Sequence, residues 1–287
     1  MSDMSSRGVV LAGGGLAGIA WELGVLVGLR EAGVDVRVWD RIIGTSAGSI
    51  VGAAAGRIRG LDQLLTTPWA RSAEQLNEYI ASLDPVTVAR INELWFGTPA
   101  APDQPTRAEI GRLAVSAHTD HEYRFLDAVG GLVPDRTWPR NFVATAVDAF
   151  DGRFATFDST AGADLLSAVA ASCAIPGIFP PITIGERRYI DGGVRSATSA
   201  DLAAGLDVVV VISPTRTGEQ SNGRQLAEVA QLRSTGSAVI EIGPDAVAAG
   251  ILAQEPLPPD QLGRIIEAGV VLGSASGPFV EAGAASH

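Results

Sequence analysis

The chain has 287 residues, 46% of them hydrophobic and 18% charged, with 32 acidic against 21 basic residues and a net charge of −11. That charge disfavours nucleic acid and anionic lipid surfaces as electrostatic partners. The length and hydrophobic content allow one large α/β domain with a sizeable core. Every basic side chain is an arginine, and without lysine a Walker-type phosphate loop is excluded. The single cysteine, Cys173, can form no internal disulfide and reads as a small buried side chain. No uninterrupted apolar run reaches about 18 residues, so no transmembrane helix is predicted. The apolar stretch near the N-terminus is too short for a signal region, and a cytoplasmic location is expected.

In chain order, Gly8 to Ala12 reads as a buried strand ending in glycines. Ala17 to Glu31 has helical apolar spacing and a stop near Gly33. Val38 to Ile43 is a second strand, and Ala47 to Ala55 a helix of small residues. This strand–helix–strand–helix order predicts a parallel sheet covered by helices. From about 60 to 130 the apolar positions recur at helical spacing, as in Leu76, Tyr79, Ile80 and Leu83, broken at Thr98-Pro99-Ala100-Ala101-Pro102. The segment reads as a helical insertion or cap, whose Trp69, Trp95 and Phe96 either fill core or line an acyl site or membrane contact.

The sheet is expected to resume at Asn141 to Val147, followed by a hairpin turn at Asp151-Gly152. A helix at Asp164 to Ala171, a short strand at Tyr189-Ile190, a strongly apolar strand at Asp207 to Ile212 and a further strand at Ala238 to Ile242 follow. Pro214 to Gly223 reads as a surface loop, and Asp260 to Leu272 as the last helix. Residues 7–275 are expected to form one domain with the cap insertion at about 60–130, leaving 276–287 as a flexible tail.

Three motifs carry chemistry. Gly13, Gly15 and Gly18 fit G-x-G-x-x-G, the dinucleotide fingerprint, which also demands an acid at the end of the second strand. Asp40 stands at the wrong end of that strand, so a nicotinamide or flavin oxidoreductase loses its second requirement. Gly44-Thr45-Ser46-Ala47-Gly48 stands there instead, a G-x-S-x-G between a strand and a helix, where a sharp turn exposes a nucleophilic serine. Such a serine needs a base. His118 and His121 lie in the helical insertion beside Asp120, where surface polarity outweighs a metal site, and His287 is terminal. Asp191, in Tyr189-Ile190-Asp191-Gly192-Gly193, is the remaining candidate, either a base or the cap of a tight turn.

Gly13-Gly14-Gly15, Gly44-Thr45-Ser46-Ala47-Gly48 and Asp191-Gly192-Gly193, in this order, resemble the patatin-like phospholipases. Ala171 to Pro181 and Ala200 to Gly205 resemble them too, so the likeness covers about residues 7–213. It implies a three-layer α/β/α fold with a mainly parallel sheet and a helical cap. It also implies a Ser46–Asp191 dyad, an oxyanion hole from Gly13, Gly14 and Gly15, no cofactor or metal, and a lipid or fatty-acyl ester as substrate. Transient membrane contact through the cap is compatible with this; nucleic acid is not an expected partner. One departure stands out: where many members carry Arg or Lys after the glycine triplet, this chain has Leu16 and Ala17. The alternative is a catalytically silent lipid-binding or regulatory module of the same fold.

Overall fold

The computed structural model describes residues 5–81, 84–98, 100–119, 121–215, 223–254 and 261–285. Leu83, Pro99, Asp120, residues 216–222 of the expected surface loop, Asp260 and His287 lie outside these, as do the side chains of Tyr79 and Ile80.

The opening motif folds as its pattern demands. β1 (Arg7–Leu11) enters the glycines, and α1 (Gly15–Glu31) leaves them. β2 (Arg41–Gly44) and α2 (Ala47–Ala55) repeat the unit. β2 starts later than the expected Val38, because Asp35 accepts the Arg37 N–H at 3.1 Å and turns Val36–Val38 into a short helical turn. Val38 is therefore exposed.

Among the described residues eight strands form one sheet, in the order β5–β6–β3–β2–β1–β7–β8, with β4 pairing β3 off this path. β3 (Phe142–Asp148), β7 (Val208–Ile212) and β8 (Ala238–Ile242) extend the parallel part. β4 (Phe154–Phe157), β5 (Ile182–Ile184) and β6 (Arg187–Asp191) are antiparallel additions. β1 has β2 on one side and β7 on the other, so the strand order reverses around its carboxyl end. Open α/β sheets place their ligand crevice at such a reversal.

Alternation along the strands sorts the layers. Val9, Leu11, Ile42 and Ala144 face a core shared with α1, α2 and α8 (Leu165–Ser172). Val10, Ile43, Val209 and Val211 face Val229 and Leu232 of α9 (Gly223–Ser234). Val147 and Ile190 face Ile91 of α5 (Pro85–Phe96) and Ile110 of α6 (Gln104–Ser116). Helices on both faces of a mostly parallel sheet make the fold a three-layer α/β/α one.

Between residues 60 and 132 every described element is a helix, as the spacing predicts. α3 (Gly60–Thr66) and α7 (Glu122–Leu132) join the core on the α1 side, whereas α5 and α6 cover the other face. α4 (Trp69–Ala81) packs on α7. Trp69 is a core residue, its Nε1 donating to the Leu64 carbonyl at 2.9 Å.

The C-terminus departs from expectation. α10 (Ala246–Leu252) is followed by α11 (Gln261–Ala285), which runs straight through the segment expected to fray after Ser274. Val280 is buried within it, and Glu281 pairs with Arg7 at 3.7 Å. The reason is backbone-to-backbone packing on α1. A Cβ on Gly24 would stand 2.2 Å from the Ile266 carbonyl oxygen, and one on Gly273 would stand 2.1 Å from that of Val25. Gln261–Gly283 has the length and mean hydropathy, 1.2, of a membrane-crossing helix even though Arg264, Glu267 and Glu281 interrupt its apolar run, and 28% of its most apolar window is buried in the fold.

Candidate active site

Ser46 sits between β2 and α2 with φ 52° and ψ −119°. A non-glycine residue held at positive φ costs about 1–3 kcal/mol and persists only where its surroundings impose it. Here they do. A Cβ on Gly44 would stand 2.4 Å from the Gly48 carbonyl oxygen, and one on Gly48 would stand 2.2 Å from that of Leu11. Only glycine lets α2 approach β1 and β2 so closely. The end of α8 clasps the turn: the Ser46 N–H donates to Ser172 Oγ at 2.9 Å, and the Ser46 carbonyl accepts from Cys173 Sγ at 3.2 Å. Ser49 Oγ donates to the same carbonyl at 2.7 Å.

The sheet register brings Asp191 to this turn. Gly44 pairs with Ala144 and Asp191 with Ala146, so the acid stands just beyond the level at which β2 ends. Gly192 follows because a Cβ there would lie 2.3 Å from Thr145 Oγ1, itself 2.7 Å from Thr45 Oγ1. Asp191 Oδ1 accepts the Gly193 N–H at 2.7 Å, and its carboxyl lies close enough to the Ser46 side chain for that hydroxyl to lower its pKa. The residue is 2% exposed. Burial raises its pKa from 3.8 to about 7, against the lowering effect of the Gly193 N–H and then of Ser46. Asp191 thus caps a tight turn, one of the two roles open to it in the sequence, and stands beside the serine as well.

The glycine triplet divides in function. The Gly13 N–H donates to the Ala197 carbonyl at 2.8 Å, so it is already spent, in contrast to the expected trio of oxyanion donors. Gly13 instead keeps space in front of the serine, since a Cβ there would stand 3.4 Å from Ser46 Cβ. The N–H groups of Gly14 and Gly15, at the start of α1, donate to no described residue. Glu22, which sequence reasoning passed over, anchors the loop from below. It is fully buried, accepts the Ala12 N–H at 2.8 Å, and is held well above the ordinary carboxyl pKa by burial, with the Ala12 N–H opposing.

A cavity of about 590 Å³ opens over Ser46, Asp191 and Gly13–Gly15. Trp95, Phe96, Pro102 and Ile175 give it an apolar wall, and Arg195 and Arg224 bring positive charge. Trp95 and Phe96 thus belong to the cavity, Trp95 Nε1 donating to the Gly193 carbonyl at 3.2 Å. His118 and His121 are exposed, and neither lines the cavity. Cys173 is buried, and burial, followed by the nearby Asp191 charge, raises its thiol far above the usual value. It is therefore expected to resist iodoacetamide in the native protein and to react only after denaturation. Labelling of the native thiol within minutes would overturn this, as read by intact-mass spectrometry.

A family model for patatin-like phospholipases matches residues 9–204. The chain belongs to the patatin-like phospholipase family. Two Mycobacterium tuberculosis proteins, both called uncharacterized NTE family proteins, are similar in sequence. Rv2565 is 31% identical over 69% of this chain and 28% of its own length. Rv1063c is 30% identical over 77% of this chain and 51% of its own. The chain therefore spans about half, or less, of these relatives. Among solved structures, VipD from Legionella pneumophila aligns with a TM-score of 0.46 at 12% identity, over 96% of this chain and 67% of that one. The type III effector ExoU aligns at 0.44 and 16% identity, over 97% and 54%.

Proposed function

We propose that the chain is a serine acyl hydrolase that cleaves carboxylic esters of lipids. Family membership supports lipid hydrolysis in general, and one observation carries the specific reading. Ser46, on a forced turn beneath a cavity, stands beside a buried carboxyl whose pKa lies near 7. A base poised near neutrality suits proton transfer at physiological pH.

In this mechanism Ser46 Oγ attacks the ester carbonyl while Asp191 takes its proton. The oxyanion is received by the N–H groups of Gly14 and Gly15, each such donor worth about 3 kcal/mol in the transition state. Collapse expels the alcohol, which Asp191 protonates. Water then gives a proton to Asp191 and attacks the acyl-serine, and Asp191 passes that proton to Ser46 Oγ as the carboxylic acid leaves. The apolar wall of Trp95, Phe96 and Ile175 receives the acyl chain, and the half-exposed Phe96 offers a point of transient membrane contact. No step needs a metal or an organic cofactor.

The test combines fluorophosphonate labelling with turnover of p-nitrophenyl esters of graded acyl length. Label on Ser46 and turnover lost in Ser46→Ala are expected. A folded protein with neither label nor turnover would be a silent lipid-binding module instead.

A further inference from the structure

Resting on the hydrolase reading of this cavity, we infer that Arg224 forms a subsite for an anionic group, a carboxylate or a phosphate, carried by the substrate. Among the described residues, the charged ones lining the cavity besides Asp191 are Arg195 and Arg224. This is notable in a chain with an excess of acidic residues. Arg107 lies close enough to both for their charges, after its own burial, to lower its pKa. Three guanidiniums, of which Arg195 and Arg224 line the cavity, therefore lie within electrostatic reach of one another and of two carboxylates, Asp201 and Glu228.

Their hydrogen bonds show which charge is left over. Arg107 donates to the carbonyls of Gly152 at 2.8 Å and Pro102 at 2.7 Å. Arg195 is bound through both terminal nitrogens to Asp201 and lies over the Phe154 ring, 4.1 Å from its centre. Arg224 donates only Nε, to Glu228 Oε1 at 2.9 Å, and its two terminal nitrogens donate to no described residue.

Glu228 makes this a built site. It is 6% exposed, and its other oxygen accepts from Ser196 Oγ at 3.0 Å, Thr198 Oγ1 at 2.8 Å and the Ala200 N–H at 2.9 Å. It thus ties Arg224 to the bend at residues 196–199, whose Ala197 carbonyl holds Gly13. The guanidinium is fixed at one edge and open at the other, beside the glycine loop. A fork with free donors suits an oxyanion.

The experiment compares the full chain with Arg224→Gln and Arg224→Lys on two substrate pairs matched except for charge. p-Nitrophenyl butyrate against p-nitrophenyl hemisuccinate places the anion on the acyl side. Monopalmitoylglycerol against its phosphate places it on the alcohol side. In one pair the anionic-to-neutral ratio of kcat/KM is expected to fall by about tenfold or more in Arg224→Gln, chiefly through KM. Arg224→Lys should retain part of it, and the pair affected locates the anion. A ratio that stays within about twofold in both pairs overturns the subsite and leaves the hydrolase reading intact. If no ester is turned over, binding of monopalmitoylglycerol phosphate against monopalmitoylglycerol, followed by tryptophan fluorescence, decides alone. A preference for the phosphate that Arg224→Gln abolishes keeps the subsite while the hydrolase reading falls, and no preference removes both.

Discussion

Asp191→Asn is expected to lower kcat/KM for a short p-nitrophenyl ester by about three orders of magnitude and, in the same protein, to raise stability at alkaline pH. The two effects share a cause. In the folded chain burial holds the Asp191 carboxyl neutral until about pH 7, whereas in the unfolded chain it ionises near 3.8. The stability associated with the neutral form is complete below 3.8 and is lost as the pH rises through about 7. Asparagine keeps an oxygen for the Gly193 N–H but cannot ionise. Its advantage over wild type is absent in acid and grows to roughly 4 kcal/mol at most above neutrality. Glu22 is also held neutral by burial, but it is common to both proteins and cancels in the comparison. Thermal melts at acid and alkaline pH, with ester turnover alongside, check the prediction. A melting difference independent of pH, or undiminished turnover, would contradict it.

Gly48→Ala should be among the most damaging single-methyl additions in the chain. At an open helical position the change stabilises by about 1 kcal/mol. Here the methyl would stand 2.2 Å from the carbonyl oxygen of Leu11 and 2.4 Å from its carbon, both backbone of the central strand. α2 must move away, carrying Ser46 with it, at a cost of about 3 kcal/mol. The expected result is a lower melting temperature together with loss of fluorophosphonate labelling. A stable variant that labels like wild type would mean that the turn does not depend on this contact.

Much of this site was legible in the sequence because close backbone approach leaves a local mark. Gly44, Gly48 and Gly192 stand where any Cβ would meet backbone or a buried hydroxyl, so the turns that present Ser46 and Asp191 are written as glycine patterns. The strand and helix order around them is equally local. What depends on distant partners was not legible. Nothing in Gly13 announces that its N–H is taken by Ala197, far along the chain. Glu22 sits among apolar helix residues and acquires its role only when β1 ends above it. Arg224 and Glu228 show the spacing of an ordinary helical ion pair, and only the fold brings Arg224 to the cavity. The last helix is expected to end at Leu272, whereas Gly273 and Gly277 beyond it lie against Val25 and Ala32 and the helix continues to Ala285.

The central claim is that Asp191 activates Ser46. It is tested most directly by the pH dependence of the rate at which a fluorophosphonate acylates Ser46, measured in wild type and in Asp191→Asn. The expected wild-type rate climbs about tenfold per pH unit and levels off above a midpoint of about 7, with no such rise in the variant. A rate that is flat through neutrality, or a variant that matches wild type, would contradict it.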